Sequence, residues 1–293
     1  MDLTINESCA SMHIARWLAM PSWLTERVNQ YRAGKLAARG GTPEQVSRSY
    51  LNVDAAGIAH VSMSGALMKA ESKFGDTTST VSLRQAVRKA RADPAVKGML
   101  IQADSPGGTV AGTDELAADL RAFAAVKPLH VHAEGMLASA AYWAAVQGHR
   151  ITATRLTDVG SIGVMAVITD TSGMAEREGI KVHVVKAGEH KGAFVPGVEV
   201  TDEQIDAVQG DIDAIFAAFQ SEVRKGRGMT AKQVGEVATG RTWLADDALR
   251  LGLIDAIADI DAAYNDVIRA VSAREREAKR RRTQAAIMRP DWS

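Results

Sequence analysis

Between residues 57 and 259, short apolar runs alternate with longer segments of helical periodicity. The runs 58–63, 98–103, 129–133, 150–154, 162–169 and 182–186 have strand length and are rich in Ile, Val and Leu, and each is predicted as a β-strand. In 81–92, Leu83, Val87 and Ala90 fall on one helical face. In 202–219, Ile205, Val208, Ile212, Ile215, Phe216 and Phe219 form one apolar stripe. Thr201, ahead of Asp202, Glu203 and Gln204, supplies a capping hydroxyl and acids for the positive end of that helix. Strands alternating with helices predict parallel βαβ units, hence an α/β fold.

The flanks break the pattern. Residues 1–55 read as an N-terminal arm in which Trp17, Leu18, Trp23 and Leu24 stand near a polar stretch. Apolar surface of that kind docks on the chain's own core or on a neighbouring copy. Residues 56–260 hold the regular domain. Residues 261–293 are helical in composition and pass through alternating charges into Lys279-Arg280-Arg281-Arg282, the pattern of a solvated, charged helical tail.

Composition narrows the chemistry. Thirty-five basic side chains balance 35 acidic ones, so no net positive field favours nucleic acid or an anionic membrane as partner. Cys9 is the single cysteine, which excludes an internal disulfide framework and fits a reducing compartment. The first residues carry acids where a secretory leader is basic. The longest apolar stretch, 136–146, contains Ser139 and Tyr142 and is shorter than the roughly 20 residues of a membrane span. A cytoplasmic protein without membrane contact is expected.

Two turns carry residue types that chemistry needs. Asp104-Ser105-Pro106-Gly107-Gly108-Thr109 follows the 98–103 strand, and ligands of parallel α/β folds bind at the carboxyl ends of strands. The glycine pair permits a sharp turn that exposes backbone N–H groups to an anion. Residues 107–112 look superficially like a phosphate loop, but Thr113 and Asp114 stand where that motif needs Lys and Ser or Thr. The turn is an oxyanion hole or a plain strand-to-helix connection. In Gly135-Met136-Leu137-Ala138-Ser139-Ala140-Ala141-Tyr142-Trp143, Ser139 opens a helix of small residues, near unpaired N–H groups that favour an oxyanion. The same position suits a packing or capping serine.

A nucleophilic serine needs a base. None of the seven histidines sits in a recognisable triad motif. His130, His132 and Glu134 share one face of a strand, but as a metal site they lack a further ligand at suitable spacing. Lys186, at a strand end, and Lys191, in the loop beyond, are the other bases on offer, although a lysine is usually a solvated surface group.

Other segments join these in a recognisable order: Gly160-Ser161-Ile162-Gly163-Val164, Lys186-Ala187-Gly188-Glu189-His190-Lys191, Gly240-Arg241-Thr242-Trp243 and Ala248-Leu249-Arg250-Leu251-Gly252-Leu253-Ile254-Asp255. With the two turns, they resemble the signal peptide peptidase A family of Ser–Lys peptidases, and especially its phage branch, the head-maturation (prohead) proteases. The likeness runs over 58–259, and Pro21-Ser22-Trp23-Leu24 is similar to the N-terminal arm of phage members.

The resemblance implies a ClpP/crotonase-like fold of stacked βαβ turns, a homo-oligomer, and neither metal nor cofactor. It implies Ser139 as nucleophile, Lys191 as general base and Ser161 as the group that orients the lysine amine. The N–H groups of Gly107 or Gly108 and of Ala140 would form the oxyanion hole. The implied substrate is a polypeptide, namely a capsid, portal or scaffold protein, in the host cytoplasm or the prohead interior. Ala140 and Ala141 replace the two glycines that follow the nucleophile in bacterial signal peptide peptidases, a change the backbone donor survives. Two rivals remain at this point. A crotonase-like acyl-CoA enzyme shares the fold and oxyanion hole without the dyad. A catalytically inactive structural head component would have no need of an intact Ser139, Lys191 and glycine pair.

Overall fold

The structure, a computed structural model, describes residues 50–70 and 77–287. The arm expected over 1–55 lies outside the described residues apart from 50–55. In chain order the elements begin with β1 (Asn52–Val53), β2 (Ile58–Ser64), β3 (Ala66–Met68), β4 (Thr77–Ser79), α1 (Thr80–Ala92) and β5 (Gly98–Ser105). They continue through α2 (Thr113–Ala124), β6 (Leu129–Ala138), α3 (Ala140–Ala145), β7 (Arg150–Ala153), β8 (Asp158–Gly160) and α4 (Ser172–Arg177). Then come α5 (Asp202–Arg227), α6 (Ala231–Val237), β9 (Thr242–Leu244), α7 (Ala245–Arg250), β10 (Ala256–Ile257) and α8 (Ile260–Ile287).

One eight-stranded sheet has the order β1-β2-β5-β6-β7-β10, with β8 paired to β6 and β9 paired to β8. Its pairs are parallel except β1–β2 and β8–β9. This is the mixed α/β architecture with a mostly parallel sheet that the alternation of strands and helices predicts.

Period-two alternation sends opposite faces of the strands into two cores. Ala59, Val61, Met63, Met99, Ile101, Leu129 and Val131 pack with Leu83 and Val87 of α1 and Leu116, Leu120 and Phe123 of α2. Ile58 and Leu100, on the other face, pack with Ala263, Val267 and Val271 of α8. These three α8 residues recur every four positions, so the first turns of the segment read as a solvated tail belong to the core. From Arg274 to Ala285 the side chains are exposed. Among the described residues no helix is long and apolar enough to cross a membrane.

Two predicted strands, 162–169 and 182–186, are absent. A strand exists only where it can pair. β8 has β6 and β9 on its two sides, so the chain beyond Gly160 cannot pair along it. From Met165 to α5 the short α4 is the only regular element, and Val167, Val182, Val184 and Val185 are exposed. Conversely, β6 runs five residues past its predicted end, because its second half gains β8 as a neighbour. The helix predicted over 202–219 reaches Arg227, where Gly228 ends it in the left-handed conformation (φ 63°). Its capping box at Thr201 and Gln204 is present. Only Phe219, Glu222 and Val223 of α5 are fully buried, and the front half of its apolar stripe is left part-exposed.

His130 and His132 alternate with Leu129, Val131 and Ala133, which face the main core, and so share the opposite face of β6. His132 Nδ1 lies 2.9 Å from Thr152 Oγ1, and its Nε2 is 3.6 Å from Glu134 Oε1. Among the described residues no three His, Cys, Asp or Glu side chains are grouped to hold a metal ion. His130 is 6% exposed, and burial pushes its imidazole down to about 4, against a partial opposing pull from Asp266. In the unfolded chain it returns to about 6.5. The unfolded state therefore binds more protons between these values, and stability must fall as pH drops through that window. The contribution is complete above about pH 6.5, gone below about pH 4, and amounts to about 3 kcal/mol from the difference in the two values. Urea denaturation at pH 7.5 and pH 4.5 should show this loss, and His130→Leu should flatten it.

Candidate active site

Ser139 stands between the end of β6 and the first turn of α3, with φ 54° and ψ −125°. A side-chain-bearing residue adopts that backbone only when its surroundings enforce it. They do so here from both sides. The Ser139 N–H donates to the Gly160 carbonyl at 2.8 Å, and its carbonyl accepts from Trp143 N–H at 2.9 Å. The short helix behind it is fixed by its contacts rather than by its length. All six residues of α3 are buried, Tyr142 Oη donates to the Leu253 carbonyl at 2.8 Å, and Trp143 stacks on Phe219 with centroids 4.9 Å apart. Ser139 itself is 1% exposed.

The Gly107–Gly108 turn meets Ser139 directly. A Cβ on Gly107 would lie 2.6 Å from Ser139 Cβ and 2.9 Å from Ala140 N, and the residue has φ +97°. Only glycine allows both the conformation and the approach. A Cβ on Gly108 would fall 1.9 Å from the Leu67 carbonyl oxygen. That close packing goes with a bridge in which Leu67 N–H donates to the Gly107 carbonyl (2.8 Å) and Thr109 N–H to the Leu67 carbonyl (2.9 Å). Gly107 N–H donates to Ser105 Oγ at 3.2 Å, while no described residue accepts the Gly108 N–H. Gly108, together with the first N–H of α3 on Ala140, is therefore the better donor pair for a developing oxyanion. Gly107→Ala should displace the glycine turn and cost about 1–3 kcal/mol of stability, a loss that thermal melting of the variant checks.

Two further side chains of the same motif hold this geometry, and neither has a role that the sequence alone assigns. Ser105 is fully buried and donates its hydroxyl to the Gly65 carbonyl at 2.6 Å while accepting Gly107 N–H, which anchors the turn from beneath. Asp104 Oδ1 accepts the Met136 N–H at 3.1 Å, and a Cβ on Gly135 would lie 2.6 Å from that oxygen. It ties the end of β5 to the stretch of β6 leading into Ser139, where the β5–β6 register shifts.

Ser161 shares a cavity of about 430 Å³ with Ser139. It too has positive φ (49°), and its N–H donates to the Arg241 carbonyl at 2.8 Å. The Arg241 guanidinium sits 4.0 Å above the Trp243 ring, so the Gly240-Arg241-Thr242-Trp243 motif braces the Ser161 turn. At the far end of the fold motifs, Asp255 accepts from Arg227 at 2.7 and 3.0 Å and from Ile151 N–H at 2.7 Å. Burial alone would raise that carboxyl, but the guanidinium and the N–H hold it below the ordinary carboxylate range.

The structure thus brings Gly107, Gly108, Ser139, Ala140 and Ser161 together. Lys191 stays apart: it is exposed on the segment between α4 and α5 and does not line the Ser139 cavity. Its N–H donates to the Gly188 carbonyl at 3.3 Å, and its amine makes no ion pair among the described residues. Lys186 Nζ donates to the Glu189 carbonyl at 2.6 Å. Further walls of the cavity come from α5 (Gln209, Ile212, Asp213, Phe216), from the chain after β8 (162–165) and from Ala238, Thr239 and Gly240 after α6. The apolar stripe of α5 was legible in the sequence, but as core rather than as the wall of a site.

A family model described as Peptidase family S49 matches residues 121–274, more than half of the chain. The chain belongs to that family. The S49 match takes in Ser139, Ser161 and Lys191, and the Gly107–Gly108 turn precedes it. Protease 4 of Salmonella typhi is 31% identical over 207 residues, which cover 70% of this chain and 33% of that protein. Protease 4 of Haemophilus influenzae is 28% identical over 225 residues, covering 74% and 35%. Capsid assembly protease C of Escherichia phage lambda is 27% identical over 232 residues, covering 78% and 52%. The chain spans between a third and about half the length of the curated relatives it matches first.

Proposed function

We propose that this S49 member is a serine endopeptidase that works through an acyl-enzyme on Ser139, with Lys191 as general base. One observation carries the reading: Ser139 is held in an enforced backbone conformation at a helix start, in contact with a glycine turn and opening on a cavity. Lys191 takes the hydroxyl proton as Oγ attacks the scissile carbonyl, and the Gly108 and Ala140 N–H groups receive the oxyanion. The ammonium returns the proton to the leaving amine. Water, activated by the same lysine, then hydrolyses the ester and regenerates Ser139. Ser161, on the cavity wall, aims the amine without adding charge. S49 membership favours this chemistry over turnover of an acyl-CoA, and the parallel sheet with flanking helices supports a ClpP/crotonase-like arrangement.

Within one chain Lys191 is exposed and does not line the cavity that holds Ser139. The segment that carries Lys191 exposes Val167, Ile180, Val184 and Val185, the last of them 99% accessible, alongside Ile205 at the start of α5. Apolar surface of this extent needs a partner. We infer that a second copy of the chain covers it, and that assembly brings Lys191 to a Ser139.

The substrate reading follows the likeness to the lambda capsid assembly protease: a capsid, portal or scaffold protein cleaved during head maturation. Intact mass spectrometry of the chain co-expressed with such proteins should show truncated head proteins with wild type and full-length ones with Ser139→Ala. Intact head proteins alongside degraded casein would overturn the substrate. Casein and head proteins both left intact would overturn the peptidase.

A further inference from the structure

Resting on the peptidase reading, we propose that Asp213 makes this enzyme select a lysine or arginine side chain at the substrate residue that enters the cavity beside Ser139. The cavity has one charged lining residue among those described, and it is Asp213. Gln209, Ile212, Asp213 and Phe216 follow the helical period along one face of α5, so a carboxylate interrupts an otherwise uncharged wall. Gln209 Nε2 donates to Asp213 Oδ1 at 2.7 Å and fixes the carboxylate by an i, i+4 contact. No cation among the described residues pairs with it. Asp213 makes no ion pair among the described residues, no lining residue is basic, and α5 carries no Lys or Arg before Arg224.

A substrate that fills the cavity strips water from that carboxylate, which is costly unless a charged partner arrives with it. The walls also have the shape of the answer. Phe216 lies one helical turn, about 5 Å, along the axis from Asp213. Ile212, Val164 and Ile162 add apolar surface for a methylene stem, while the cationic head reaches the carboxylate at the exposed mouth. Lys191 is not the missing partner, because a carboxylate within reach would hold a general-base amine in its charged form.

The test compares peptides that differ at one residue: arginine, its neutral isostere citrulline, and glutamate. For wild type, kcat/KM should be about tenfold higher for arginine than for citrulline, the size expected of a charge-assisted hydrogen bond partly covered by substrate. Asp213→Asn should bring that ratio to about one, and Asp213→Lys should turn the preference toward glutamate. Equal wild-type rates for arginine and citrulline, or a ratio untouched by Asp213→Asn, would overturn the assignment and leave the peptidase standing. If wild type cleaves none of the peptides, the peptidase reading falls, and binding then decides the role of Asp213. Anisotropy titration onto the Ser139→Ala protein should show arginine peptide bound about tenfold more tightly than citrulline peptide, a difference lost in the Ser139→Ala/Asp213→Asn double variant. Equal binding would overturn it.

Discussion

Ser139→Ala is expected to lower peptide hydrolysis by about 10⁴-fold or more while leaving the protein folded. Losing the nucleophile closes the acyl-enzyme route altogether, and what survives is the modest help of an oxyanion hole and substrate binding. The fold should tolerate the change. Ser139 makes no side-chain cap to α3, and alanine keeps the Cβ against which Gly107 packs. The cost is at most that of a helix cap, about 1 kcal/mol, or a melting shift of no more than roughly 2–4 °C in a chain of this size. A variant with near wild-type turnover would remove Ser139 from the chemistry. A variant that no longer melts cooperatively would mean that the hydroxyl holds the strained turn in place.

The second large effect is at Lys191. Lys191→Arg should be inactive, because a guanidinium keeps its proton under any condition the protein survives and cannot act as a base. Lys186→Arg should retain most activity, since Lys186 Nζ is occupied with the Glu189 carbonyl and an arginine can donate there as well. Stability should change little in either, both residues being exposed. An active Lys191→Arg beside a dead Lys186→Arg would move the base to the other lysine. Assembly adds a sharper version of this test. Equal amounts of Ser139→Ala and Lys191→Arg chains, each inactive alone, should regain activity when co-assembled if one copy's lysine serves another's serine. No recovery from co-assembled chains would place both groups of a working site on one copy.

Periodicity revealed those elements whose partners are close in sequence or whose faces are uniform. The strands at 58, 98, 129 and 150 and the helices at 81 and 202 all appear where alternation and the 3.6-residue stripe placed them. It misread 162–169 and 182–186 for a reason no local pattern contains: whether an apolar run becomes a strand depends on a partner strand, and β8 already has β6 and β9 on its two sides. The same limit hid the first turns of α8. Their Ala263, Val267 and Val271 stripe is short and adjoins a charged run, and only the second face of β2 and β5 makes it core. At the site, the motifs identified Ser139 and the glycine turn. Their mutual contact, the anchoring by Ser105, and the acid on the α5 wall needed coordinates, because each depends on residues 30 to 100 positions apart.

An acyl-enzyme is a covalent species, so the most direct measurement looks for the bond. The protein would be incubated briefly with an excess of an activated peptide ester, quenched in acid, and its intact mass and peptide map recorded. A mass increase of one acyl group is expected, carried on the peptide that contains Ser139 and absent from Ser139→Ala. An acyl group mapped to another residue, or turnover of the ester by wild type and Ser139→Ala alike, would contradict it.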